Sequence, residues 1–346
     1  MANITRNNHY VPQATLKRWS HDGERVWAYR LLVSHHGVRQ WRSELIARLT
    51  RQTDLYTEHR GGRDVDAFET FITRDFEEPG QKAIEKLLAG TRMSPADWRC
   101  IARFVVAQDL RTPQDFIEWY ARFQQNIQES LEAAIQKLPE RVAQQQAGSH
   151  SEDDTTDGSQ DFMREVLKIS IDRSDASKGL VPVRADIRSA RSVWMRRVQH
   201  LLVNRAEVVC GHRWCTMIPA AGEEWPLTDH PVLRLNFNSP QEYDFGGGWG
   251  HPGSEFIMPV SPRLAVYTQV GKRHHGPIRL DPAKTRQLQQ LFVERAYRWI
   301  LAREPIPWFE AFRPRTVDAE RYASEQATWR RSPATRTSCS TGPWLL

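Results

Sequence analysis

A chain of 346 residues suffices for two lobes, or for one large domain with a substantial core. Its hydrophobic content of 40% and charged content of 26% are globular values, and no run approaches the roughly 18 uncharged apolar residues of a membrane helix. Lys and Arg number 48 against 42 Asp and Glu, a net +6 that suits an anionic partner without requiring one.

The opening Met1–His9 lacks the apolar region of a secretory signal, so the cytoplasm is the expected location. Cys100, Cys210, Cys215 and Cys339 form neither a C-x-x-C zinc layout nor a dense disulfide framework, and reduced thiols are expected. The 13 Trp could stack nucleobases, although many stand at helical spacing, where core packing explains them.

Along the chain, Val26–Val33 reads as a short strand ended by a turn at His35-His36-Gly37, and Asp54–Thr57 as a second. Helical spacing starts near Val65 with Phe68, Phe71 and Ile72, breaks at Pro79-Gly80, and resumes through Ile84, Leu87 and Leu88. Ser94-Pro95-Ala96-Asp97 combines a capping hydroxyl, a proline at the first helical position and an acid beside the exposed N–H groups. Thr112-Pro113-Gln114-Asp115 repeats that signal before a long helix carrying Phe116, Trp119, Tyr120, Phe123, Ile127, Leu131 and Ile135 on one face.

Gly148–Asp161 is nearly devoid of apolar residues and reads as a flexible acidic linker or loop. A helix is expected over Ala185–Asn204. Strands follow over Trp214–Pro219, Val232–Asn236, Phe256–Val260 and Leu264–Thr268, and a last helix over Asp281–Ala302. The expected fold class is α+β. Residues 1–147 would form a mainly helical lobe with an N-terminal arm, and 162–312 a lobe of helix and antiparallel sheet sharing the same core. Residues 313–346 read as a tail, disordered at least beyond 333.

Four segments concentrate hydrogen-bonding side chains. Asn8-His9-Tyr10-Val11-Pro12-Gln13 surrounds His9 with polar groups on a backbone stiffened by Pro12; His9 either serves a site or satisfies a carbonyl at the core edge. Glu69 lies among Phe68, Phe71 and Ile72, as a buried carboxylate or as a partner of Arg74 or Lys82. Gln108 and Arg111 share a helix face, where Arg111 offers a fork to an anion or pairs with Asp109 or Asp115. Asp229 and His230 fall in a turn at a sheet end, where Asp229 reads as a presented acid or as an acceptor for its own turn. No P-loop, G-x-G-x-x-G, H-E-x-x-H or G-x-S-x-G pattern occurs, which disfavours the familiar cofactor enzymes.

These residues resemble the bacterial family known as domain of unknown function 4238. The resemblance is carried by Asn8–Gln13 with Leu16 and Trp19, by Leu55-Tyr56-Thr57, by Phe68-Glu69, by Phe104–Pro113 and by Leu227–Val232, in the family's order. Here His230 stands where the family's Asp-Asn-Pro motif has its asparagine. The resemblance implies candidate residues and a boundary, and no established activity.

Two functions fit these residues. In the first, the chain is a hydrolase acting on a phosphoester, in a nucleic acid or a nucleotide, within a cleft between the lobes. His9 is then general base or metal ligand, Glu69 and Asp229 hold a divalent cation or orient His9, Arg111 neutralises phosphate charge, and Asn8, Tyr10, Gln13, Gln108 and His230 complete the binding surface. In the second, the same cleft is a non-catalytic module for an anionic ligand or a partner protein. The side-chain ends of His9, Gln13, Glu69, Gln108, Arg111 and Asp229 are expected to lie within roughly 12 Å of a common centre, about the span of a small-ligand pocket.

Overall fold

The N-terminal part of the chain supplies short strands before any long helix. The structure, a computed structural model, describes residues 6–60, 63–136, 167–171, 183–187, 190–239, 242–330 and 337–339. It opens with β1 (Asn7–His9), a short helix α1 (Gln13–Lys17), β2 (Arg25–Arg30), β3 (Leu32–Val33), β4 (Trp41–Leu45) and β5 (Arg51–Thr53). Strand β1 pairs antiparallel with β5, placing His9 opposite Arg51. The strand expected over Asp54–Thr57 is a turn instead: Asp54 adopts φ +54° and donates its N–H to the Arg6 carbonyl at 2.7 Å, which ends the extended pairing at Thr53. A hairpin of β6 (Glu58–Arg60) and β7 (Arg63–Val65) follows.

Helices then take over. Helix α2 (Ala67–Ile72), a π-helical turn (Thr73–Glu77) and α3 (Glu78–Leu88) run on without the expected break at Pro79-Gly80. Pro79 falls in the first turn of α3, just after the π turn, where the hydrogen-bond register changes and a residue without an N–H is tolerated. Gly80 faces α4 (Pro95–Leu110) so closely that a Cβ there would lie 2.4 Å from Phe104 Cβ. Ser94 starts α4 with a capping box: its hydroxyl accepts the Asp97 N–H at 3.2 Å, and the Asp97 carboxylate accepts the Ser94 N–H at 2.7 Å. All residues from Phe104 to Leu110 are buried, as the run Phe-Val-Val-Ala requires. Helix α5 (Pro113–Gln136) stacks Trp119 on Phe123 and Phe116 on Tyr120 along the predicted face.

Beyond it come β8 (Leu167–Ile171), β9 (Val183–Ile187), α6 (Ala190–Asn204) and α7 (Ala206–Cys210). Val183–Ile187 is a strand between two others, so the helix expected from Ala185 starts at Ala190. The alternating segments form β10 (Cys215–Ile218), β11 (Leu227–Thr228), β12 (Leu233–Ser239), β13 (Glu242–Asp244), β14 (Glu255–Ser261), β15 (Leu264–Gln269) and β16 (Ile278–Arg279). Six of them make one sheet in the order β13-β12-β14-β15-β10-β16, antiparallel except for β10 with β16.

Helix α8 (Pro282–Arg295), capped by Asp281, stops short of the expected end. Trp299–Ala302 is strand β17, which joins a second sheet in the order β11-β17-β2-β4. Leu288 and Phe292 of α8 pack with Leu233, Leu235 and Ile257 of the larger sheet, while Val293 packs with Tyr29, Trp41 and Ile300 of the smaller. One helix thus serves two cores. The chain continues through α9 (Pro307–Phe312), β18 (Thr316–Val317), α10 (Ala319–Arg330) and β19 (Thr337–Cys339), so part of the expected tail is regular structure. The rest of the tail, and the linker expected at 148–161, lie outside the described residues.

The fold is α+β, with small antiparallel sheets and helices. Contacts divide the chain into two compact units, residues 1–115 with 197–331, and 116–196 with 332–346. Among the described residues no helix is long and apolar enough to cross a membrane.

Candidate functional site

A cleft of about 790 Å³ opens on the N-terminal arm. One wall is the helical run α2–π turn–α3, which contributes Glu69, Thr73, Glu77, Gln81 and Glu85 at near-helical spacing. The facing wall brings His9 from β1, Gln13 from α1 and Arg51 from β5. All lining residues fall between Asn7 and Glu85, so the cleft expected between two lobes is built instead from one continuous stretch of chain.

Strand pairing and hydrogen bonds fix the arm. The Asn8 side-chain oxygen accepts the Tyr56 N–H at 3.1 Å, and the Tyr10 N–H reaches the Thr50 carbonyl at 3.0 Å. His9 is held between these two anchored residues. Its Nε2 is buried without a hydrogen-bond partner. Burial, and then the charges of Arg51 and Arg111, lower its pKa below the ordinary 6.5, while hydrogen bonds to the backbone at Ala47 and Asn7 oppose the shift. With its pKa held below 6.5, His9 is mainly a neutral imidazole at pH 7, and Nε2 is its buried nitrogen without a partner.

Glu69 shows the opposite shift. Burial pushes its pKa up to about 7; Arg111 pulls against this, and Glu77 and Asp66 add to it. Its Oε2 is also buried without a partner. Of the partners expected for it, Arg74 pairs instead with Asp75 at 2.6 Å, and Lys82 lines the same cleft. A basic imidazole and a carboxyl that keeps its proton to neutrality therefore line one cleft.

Arg111 stands behind the wall, fully enclosed at 0% exposure. As the residue that ends α4 it turns its side chain inward, where Nε donates to the Tyr10 carbonyl at 3.0 Å and an ion pair joins it to Glu77. With its amide turned so that the oxygen rather than the nitrogen faces these donors, Gln108 accepts from Arg111 Nε at 2.8 Å and from Nη2 at 3.0 Å. The Arg111 carbonyl accepts the Tyr56 hydroxyl at 2.6 Å. The role of an open phosphate clamp is thus corrected, because the guanidinium is internal and already has a carboxylate. Asp109 and Asp115, its other expected partners, hold Arg234 and Arg197.

Asp229 and His230 are placed elsewhere than the cleft lining. The Asp229 carboxylate is buried and accepts the N–H groups of Tyr297 at 2.9 Å and Arg298 at 2.8 Å, fixing the turn from α8 into β17. Burial raises its pKa and these bonds oppose the rise. That use of both oxygens corrects its expected role as an acid holding a cation or orienting His9. His230 Nδ1 lies 2.8 Å from the Thr112 hydroxyl and its carbonyl accepts from Thr228. Tyr10 is equally internal, hydrogen-bonded to Arg298 with its phenol pushed up by burial.

The sequence reading missed Glu77, Arg51 and Gln81. Glu77 follows Glu69 by eight positions inside the helix already expected before Pro79-Gly80, a same-face spacing that could have nominated it, whereas Gln81 joins that face only because the run continues past Pro79. Among the described residues no three His, Cys, Asp or Glu side chains gather into a metal-binding group.

The structure thus defines an α+β protein whose N-terminal arm and first helical run line a cleft with one unbonded imidazole nitrogen, His9 Nε2, and one unbonded carboxyl oxygen, Glu69 Oε2. The chain belongs to the family described as protein of unknown function (DUF4238), whose sequence model matches residues 7–305. Comparison with curated proteins and with solved structures gives no match.

Proposed function

We propose that the chain is a hydrolase acting on a phosphoester bound in the cleft beside His9 and Glu69. The observation that carries this reading is the pair of buried, unpartnered atoms, His9 Nε2 and Glu69 Oε2, on the walls of one cavity. Buried polar atoms without partners are costly and rare, and a ligand that supplies both bonds accounts for them. His9 takes a proton from water as its oxygen attacks phosphorus. Glu69 gives its proton to the leaving alcohol oxygen as the P–O bond breaks. Phosphate and alcohol leave, and solvent returns each group to its starting state.

Arg51 and Lys82 on the cleft walls are the cations available to the phosphate. A purely anion-binding module has less support, since its intended clamp, Arg111, is enclosed and paired. The test is turnover of phosphomonoesters, phosphodiesters, nucleotides, DNA and RNA by the purified chain, with and without EDTA. His9→Ala and Glu69→Gln should each lower kcat/KM by about 100-fold or more, the range lost with a general acid or base. The pH profile should rise on a limb below 6.5 as His9 loses its proton, and fall near 7 as Glu69 loses its own. Inactivity of the wild type on every phosphoester class rejects the reading.

A further inference from the structure

Arg111 carries one positive charge, and two carboxyl groups of the same wall, Glu69 and Glu77, compete for it. The geometry has already decided between them. Tyr10 and Gln108 fix Nε and Nη2 from behind, and the salt bridge goes to Glu77. Nη1 finds no hydrogen-bond partner, and neither does Glu69 Oε2, so the guanidinium and the second carboxyl are unbonded to one another.

We propose that Arg111 is a positioning residue which, held by Tyr10 and Gln108, is closed onto Glu77 as its counter-ion, and so reserves Glu69 as the proton donor of the cleft. Without Glu77, the free guanidinium would turn to Glu69, the other carboxyl of this wall that acts on it. The groups acting on Glu69 agree with this arrangement. From its own helical run, Asp66 and Glu77 are anions that favour the protonated form; from α4, Arg111 alone opposes them. Arg51 and a neutral His9 line the facing wall, and the buried Tyr56 ring packs on Phe68, next in sequence to Glu69.

The inference rests on the acid–base reading of the cleft for its consequence in turnover, but its test needs no substrate. The Glu69 carboxyl is followed by NMR titration of glutamate-labelled protein, with Glu69→Gln supplying the assignment. In the wild type, burial should place the midpoint at about 7. Glu77→Gln removes an anion and releases Arg111, both of which favour ionised Glu69, so the midpoint should fall to roughly 5. Glu77→Asp retains the counter-ion and should keep the midpoint near the wild-type value.

A Glu77→Gln midpoint that stays or rises overturns the proposal, as does a Glu77→Asp shift equal to that of Glu77→Gln. Should Glu77→Gln fail to fold, Glu69→Gln still decides. It replaces a neutral acid with a neutral amide and should leave the melting temperature at pH 6 unchanged, whereas a large drop would mean that Arg111 relies on Glu69. Inactivity on all phosphoesters would remove the hydrolase reading and leave this ion pair standing; an unmoved midpoint would do the reverse.

Discussion

At the scale of single residues, the polar side chains of the arm, the α4 end and the Asp229 turn divide by what their atoms are bonded to. Both oxygens of Asp229 are engaged by backbone N–H groups that start β17, whereas His9 Nε2 and Glu69 Oε2 are engaged by none. The contrast predicts opposite stability effects. Asp229→Ala strips acceptors from two buried or half-buried N–H groups at about 1–3 kcal/mol each, so its unfolding free energy should fall by several kcal/mol. His9→Ala removes a ring with an unmade bond and should cost no more than about 1 kcal/mol. Urea unfolding followed by tryptophan fluorescence measures both. Equal losses would show that His9 is as structural as Asp229.

Local signals at the scale of elements were legible because they are local. Ser94, Pro95 and Asp97 marked a helix start with a capping hydroxyl, and the helix starts there, with Asp97 closing a capping box; the strands β10, β12, β14 and β15 lie where alternation placed them. The readings that failed depend on distant chain. Nothing near Trp299 reveals that β2 and β11 will pair with it, so its apolar run reads as more helix. Nothing near Arg111 reveals Glu77 as its partner, and the site residues His9 and Glu69 could be nominated while Arg51 and Gln81 could not. Pro79-Gly80 was misread for a related reason: the pair looks like a break, yet the glycine exists for α4. Replacing Gly80 with Ala gains about 1 kcal/mol of helix propensity. It also drives a methyl to 2.4 Å from Phe104 Cβ, at a contact between α3 and α4 where both residues are buried. Overpacking of this kind costs about 1–3 kcal/mol, so a net loss of stability is expected in the same urea assay. A Gly80→Ala protein as stable as wild type would mean that the helices separate freely and that close approach does not explain the glycine.

Across the whole first unit, segments far apart in sequence meet on a few charged side chains, and helix α10 takes part although the family match ends at residue 305. Glu325 of α10 accepts from Arg30 of β2 at 2.9 Å and pairs with Arg298, just before β17, at 3.2 Å. Arg30 lies over the rings of Trp299 and Tyr322 at 4.9 and 4.7 Å, so β2, β17 and α10 are tied at one point. The side chains are only 17%, 8% and 12% exposed for Arg30, Arg298 and Glu325, which limits screening by solvent. Removing the carboxylate leaves two guanidinium groups facing a neutral neighbour. The loss for a fully buried pair is about 3–5 kcal/mol, and the partial exposure here reduces that to roughly 2 kcal/mol. Glu325→Gln should therefore destabilise the chain by that amount, with little dependence on salt between 0.05 and 0.5 M, roughly the range over which exposed pairs are screened. A loss that vanishes at the higher salt, or no loss at all, would place Glu325 among ordinary surface charges and leave β18 and the ring contacts as the means by which α10 is held.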